Sequence, residues 1–172
     1  MSNYRRYHQK GSCYFFTVVT HNRRKIFQSE PAIELLRAVF RSVMKTRPFI
    51  IDAIAVLPDH IHSLWRLPDG DDDYSTRWMV IKKQVSTQMN AAKNHRGEKQ
   101  IWQRRFWEHL IRDENDYQRH MDYIHYNPVK HGYVLRPVEW LHSSFNKAVA
   151  DGLYETNWGA CEPVGIKSMK CE

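Results

Sequence analysis

Residues 53–67 read AIAVLPDHIHSLWRL, and the fold is decided by how this stretch is read. Successive side chains of an extended strand point to opposite faces, so His60 and His62 share one face and Ile61 points to the other. The roots of the two imidazoles then stand roughly 6–7 Å apart, close enough for both rings to converge on one divalent ion. Val56-Leu57 before the pair and Leu64-Trp65 after it have strand character, and Pro58-Asp59 between them reads as a turn. The histidines therefore open the second strand of a hairpin. Such an alternation also arises by chance in strands, so a metal site needs further ligands from elsewhere in the chain.

Upstream, residues 12–20 (SCYFFTVVT) are rich in β-branched and aromatic residues and predict a central strand. His21-Asn22-Arg23-Arg24 forms a basic loop. Pro31 suits a first helical turn, and Ile33, Leu36, Phe40 and Val43 follow at helical spacing in a helix that ends before Pro48. Residues 49–56 and 60–67 are the second and third strands. The acidic loop 68–73 (PDGDDD) offers aspartates that are candidate metal ligands or solvated turn residues. Trp78, Ile81, Val85 and Met89 repeat through a second helix, with Lys82, Lys83 and Lys93 off its apolar face. A polar loop at 94–99 and the basic-aromatic run Gln103–Trp107 lead into a fourth strand ending near Ile111. The order β-α-β-β-α-β predicts an α+β, ferredoxin-like antiparallel sheet with two helices on one face.

A third helix opens at Asp113, with acidic residues in its first turn as the helix dipole prefers, and Asn127-Pro128 marks its end. At about 100° per residue, Tyr117, Met121 and Ile124 form its core face. His120, Tyr123 and Asn127 form a second stripe about a quarter-turn away, and Tyr126 falls opposite the core face. Tyr123 and Asn127 are one turn apart and hence neighbours. Beyond this helix the chain is an irregular tail with a short helix at 145–152. The whole reads as one domain, with a basic arm at 1–11, a core over about 12–132 and a tail over about 133–172.

A chain of 172 residues is long enough to bury a sizeable core. It holds no apolar run of membrane-spanning length, and its first residues lack the apolar centre of a signal peptide. Cys13, Cys161 and Cys171 form no paired motif, so disulfides and zinc knuckles are not indicated and a cytoplasmic location is expected. The formal charge of +7 favours a polyanionic partner, and abundant aromatic residues suit unpaired bases. Arg5, Arg6, Arg23, Arg24, Arg104, Arg105 and Lys130 are candidate phosphate contacts. Tyr7, Trp65 and Trp107 are candidate stacking residues, the tryptophans being equally suited to the core.

A tyrosine can cut a phosphodiester by attacking phosphorus, leaving a covalent phosphotyrosine and freeing a 3′-hydroxyl. Phenol ionises near pH 10, so it needs help, which a divalent ion on the scissile phosphate provides. Two imidazoles and one amide oxygen suit Mg²⁺ or Mn²⁺, the imidazoles tilting the preference toward Mn²⁺. The combination LPDHIHSLWRLP, QRRFWEHLIRD, DYIHYNPVKHGYV and the later SSF resembles the HUH-type single-tyrosine transposases, and within them the REP-associated tyrosine transposases. The resemblance covers roughly residues 10–146. It implies His60, His62 and Asn127 as metal ligands and Tyr123 as nucleophile. It also implies a metal-dependent endonuclease and strand transferase that acts on single-stranded DNA beside hairpin (REP-like) repeats through a 5′-phosphotyrosine. His120 either orients Tyr123 or caps the helix face.

Two other readings compete. A non-catalytic module for structured nucleic acid accounts for charge and aromatics but leaves the H-x-H and Y-x-x-x-N pairing as coincidence. A hydrolytic metal phosphodiesterase leaves no protein–DNA adduct and lacks evident carboxylate ligands beside the histidines. Monomer and homodimer both remain open, with the monomer favoured.

Overall fold

Alternation along β1 (Cys13–Val19) sorts the molecule into two cores. Tyr14, Phe16 and Val18 point to one face of the sheet, and Phe15 and Thr17 to the other. The computed structural model describes residues 8–90, 93, 97, 99–169 and 171. After β1 come α1 (Glu30–Thr46), β2 (Ile50–Val56), β3 (His60–Arg66), α2 (Tyr74–Gln88), β4 (Trp107–Leu110), α3 (Glu114–Lys130) and α4 (Phe145–Ala150). The four strands form one sheet in the order β2-β3-β1-β4 with every pairing antiparallel. This is the α+β ferredoxin-like arrangement that the sequence predicts.

On the first face, α1 and α2 bury Ile33, Leu36, Phe40, Val43, Trp78, Ile81 and Val85 against β1 and β3. Trp65 is fully buried there, stacked on Trp78 with ring centroids 4.5 Å apart, which removes it from the candidate stacking surface. The acidic loop is structural. Asp71 pairs with the buried Arg77 guanidinium at 2.6 Å, and Asp73 caps α2 by accepting from the Thr76 amide.

α3 covers the second face, over β2 and β3. A bulge between Ile51 and Ala53 resets the alternation of β2, so that Ala53 and Ala55 lie beneath the helix and allow its close approach. With both faces covered, β3 reads as an almost continuous buried run. Asp113 caps α3 by accepting from the Asp116 amide. The helix does not stop at Asn127-Pro128 but runs through Pro128 to Lys130. Proline forfeits one backbone bond there, yet the following turn closes with the His131 amide on Asn127 O and the Tyr133 amide on Pro128 O. The true stop is Gly132, whose φ of +70° reverses the chain as a helix C-cap requires.

Residues 133–169 are mostly irregular but well packed. Ser144 bonds the backbone of Ile54 on the outer edge of β2, with its amide and its hydroxyl, and so covers an otherwise open strand edge. Tyr154 and Ile166 are buried against α3. Tyr126, opposite the sheet-facing side of α3, is accordingly buried as well, beneath Trp158 and Gly159, because the tail supplies a second wall. Among the described residues, no helix is long and apolar enough to cross a membrane.

Candidate active site between the sheet and the third helix

The second face of the sheet brings the predicted residues together. His60 and His62 are both buried, with ring centroids 4.8 Å apart. Asn127 reaches them from α3, its Oδ1 3.3 Å from His60 Nε2. The buried ring of Tyr123 stands edge-on to His62 at 5.2 Å and to Phe15 at 6.0 Å.

Hydrogen bonds around the histidines fix which nitrogen carries the proton. His60 Nδ1–H donates to Asp59 Oδ1 at 2.7 Å. Burial pulls the His60 imidazole below its usual range, so it is neutral and Nε2 keeps its lone pair. Burial also opposes ionisation of Asp59, but the His60 bond and the Arg23 guanidinium together outweigh it and hold the carboxyl below its usual range. Asp59, expected only as a turn residue, is thus the carboxylate that orients the His60 imidazole. Thr17 does the same for His62. Its hydroxyl proton goes to the carbonyl of Cys171, so its oxygen accepts from His62 Nδ1–H at 3.0 Å and Nε2 is left as the lone-pair nitrogen.

The donor set fits a divalent cation. With His60 neutral and its Nδ1–H committed to Asp59, His60 Nε2 and Asn127 Oδ1 face each other as acceptors at 3.3 Å, an arrangement that a cation between them would relieve. Turning the amide over would let its NH₂ donate to the nitrogen, yet the oxygen faces inward, while Nδ2 has no hydrogen-bond partner among the described residues. Two imidazoles and an amide oxygen suit Mn²⁺ or Mg²⁺.

Neighbouring residues complete the site. His131, at the end of α3, brings its ring to 5.0 Å from His60. Lys130 Nζ donates to Tyr123 Oη at 3.1 Å. His120 is buried one turn before Tyr123, its Nδ1–H donating to the Asp116 carbonyl and its ring stacked on His109 at 4.6 Å. The ligand atoms of His109, Asp116 and His120 lie within 4.8 Å of one another. Their carboxylate is already occupied by the Arg112 amide and guanidinium and by His109, which hold Asp116 well below the usual carboxylate range against the opposing effect of burial. A cation there has to displace a guanidinium, and the group acts as a clamp between β4 and α3.

The candidate DNA contacts are spread out. Arg5, Arg6 and Tyr7 lie outside the described residues. Arg23 is tied to Asp59 at 3.2 Å, and Arg24 reaches the Gln100 carbonyl. Arg104 and Arg105 are exposed before β4, and Trp107 is partly exposed with its ring parallel to His109. Thr17, Asp59 and His131 escaped the sequence reading. Only the Asp next to the H-x-H pair carried a local signal.

Comparison with known proteins identifies the family. The family model described as "Transposase IS200 like" matches residues 9–127. The chain is 49% identical over 158 residues to the REP-associated tyrosine transposase of Escherichia coli K12, covering 92% of this chain and 91% of that protein. It is 44% identical over 174 residues to a Haemophilus influenzae protein named as a REP-associated tyrosine transposase, covering 97% and 98%. A solved structure described as a REP-associated tyrosine transposase bound to a REP hairpin superposes with a TM-score of 0.83 at 44% identity over 99% of both chains. This chain belongs to the IS200-like transposase family, in the branch of the REP-associated tyrosine transposases.

Proposed function

We propose that the protein is a metal-dependent endonuclease and strand transferase for single-stranded DNA beside REP-like hairpins. Tyr123 is its nucleophile, and His60, His62 and Asn127 hold the cation. The observation that carries this reading is the inward-facing Asn127 oxygen opposite the lone pair of His60, beside the Tyr123 ring on the same sheet face. A relative whose solved structure holds a REP hairpin supports the choice of substrate.

A divalent cation bound there supplies Lewis acidity that withdraws charge from the scissile phosphate. The chain's own residues do the rest. Asp59 and Thr17 hold both imidazoles in the ligating tautomer. The buried wall of Phe15 and His62 holds the Tyr123 ring in place. The Tyr123 oxygen forms a bond to phosphorus, the bond to the 3′-oxygen breaks, and a 5′-phosphotyrosine and a 3′-hydroxyl result. The intermediate conserves the bond energy, so attack by another 3′-hydroxyl joins strands. Tyr123 lies beside His62 of its own chain, which supports action in cis by a monomer.

The test uses end-labelled single-stranded hairpin DNA with Mn²⁺ or EDTA, comparing wild type with Tyr123→Phe and Tyr126→Phe on a denaturing gel. The expected result is a metal-dependent covalent adduct lost only in Tyr123→Phe. Binding that persists in EDTA with no adduct under any condition favours the non-catalytic module instead.

A further inference from the structure

We propose that Lys130 is a catalytic residue of strand cleavage and joining, its ammonium group holding the attacking oxygen of Tyr123 and carrying the negative charge that develops on it. The proposal rests on the assignment of Tyr123 as nucleophile and goes beyond it, since a composition-based reading made Lys130 only a phosphate contact.

Lys130 lies seven positions after Tyr123 on α3, close to two full turns, so both project from one face of the helix. Its stem runs back toward the helix N-terminus, the direction in which helical side chains lean. Nζ meets Tyr123 Oη at 3.1 Å and stands 4.7 Å from the centre of the ring. The contact depends on α3 continuing through Pro128, because a helix ending there would not carry Lys130 along this face.

The chemistry follows from where Nζ sits. In cleavage the phenol proton leaves to water, the Tyr123 oxygen bonds to phosphorus, and the 3′-oxygen departs and takes a proton from water. Lys130 keeps all three of its protons throughout. Tyr123 as a whole is 1% exposed, so charge forming on its oxygen depends in part on protein groups for its stabilisation. A preplaced ammonium at hydrogen-bond distance offsets that cost without reorganisation. In joining, the phosphotyrosine bond breaks and charge returns to the same oxygen, so the same contact speeds both directions.

A phosphate contact and a catalytic contact predict different losses. The experiment measures single-turnover adduct formation, strand joining from the isolated adduct, and hairpin-DNA affinity for wild type, Lys130→Met and Lys130→Arg in Mn²⁺. Lys130→Met should slow both reactions by about 100-fold, the usual effect of removing one such donor, with DNA affinity kept within about twofold. Lys130→Arg should recover most of both rates, which a purely steric role would not allow. Unchanged rates in Lys130→Met, or a rate loss matched by an equal loss of affinity, overturns the proposal alone. A wild-type protein that gives no Tyr123 adduct overturns the active-site assignment and this proposal with it. A DNA-free readout separates these cases: the ring-carbon NMR signal of Tyr123, identified by its loss in Tyr123→Phe, should move in Lys130→Met. A signal that stays in place removes the contact itself.

Discussion

Thr17 and His62 are direct partners in the β1–β3 pairing, and across that pairing Thr17 Oγ1 lies 3.0 Å from His62 Nδ1. The hydroxyl accepts a hydrogen bond from the imidazole on one side and donates one to the Cys171 carbonyl on the other. Residues near the end of the chain thereby reach the support of the candidate metal site.

Thr17→Val keeps the shape and removes this acceptor. The buried His62 Nδ1–H then lacks its bond, at a cost of about 1–3 kcal/mol in stability. Affinity for Mn²⁺ should fall roughly 10–100-fold, as for other residues that orient a metal-ligating histidine. Calorimetric titration of Mn²⁺ into wild type and variant checks this, and equal affinities would mean that the hydroxyl plays no supporting part.

The facing acceptors of His60 and Asn127 predict that a divalent metal stabilises the fold. At about a hundredfold excess over Kd, Mn²⁺ should add about 2.7 kcal/mol to unfolding stability, and EDTA should remove it. Asn127→Ala and His60→Ala should abolish most of this increment. Thermal melts with and without Mn²⁺ decide the matter, and a full metal-induced shift in both variants would place the cation elsewhere.

His125 lies on the far side of α3 from the site, fully buried between Phe145 and Tyr154 and 3.0 Å from Ser144 Oγ. Burial pushes its imidazole down to about 4. The unfolded chain takes up this proton near pH 6.5, so between the two values the unfolded state binds more protons and stability falls as pH falls. Its contribution is complete above about pH 6.5, and about 2 kcal/mol is lost by about pH 5. Urea unfolding of wild type and His125→Gln at both pH values should show the steeper acid loss in wild type. Parallel slopes would exclude His125 as the cause.

The packing of the tail on α3 predicts that Ile166→Ala destabilises the fold. Ile166 is 4% exposed within the α3-side core, and truncation of such a residue costs about 2–5 kcal/mol. A change below about 0.5 kcal/mol in chemical denaturation would show that residues near 166 are a detachable flap rather than part of the core.

How far the sequence reached depended on the range of the interaction. That His60 and His62 share a face follows from the period of two along a strand, and that Tyr123 and Asn127 are neighbours follows from the helical turn. Both are properties of a few consecutive residues, as is the strand-helix order that gave the antiparallel sheet. Pro128 by its local preference predicts the wrong end for α3, because packing on the sheet and the closing bonds of His131 and Tyr133 outweigh one lost hydrogen bond. Gly132 was the better stop signal.

Everything that joins distant segments was decided by tertiary structure alone. Strand register sets Thr17 opposite His62, and the alanines of β2 beneath α3 bring Asn127 to His60. Trp65 belongs to the helix-covered core because the alternation that turns the histidines one way turns the tryptophan the other. Tyr126 is buried because the tail folds back over α3. No local pattern encodes these contacts, since each depends on which surfaces the whole chain buries together.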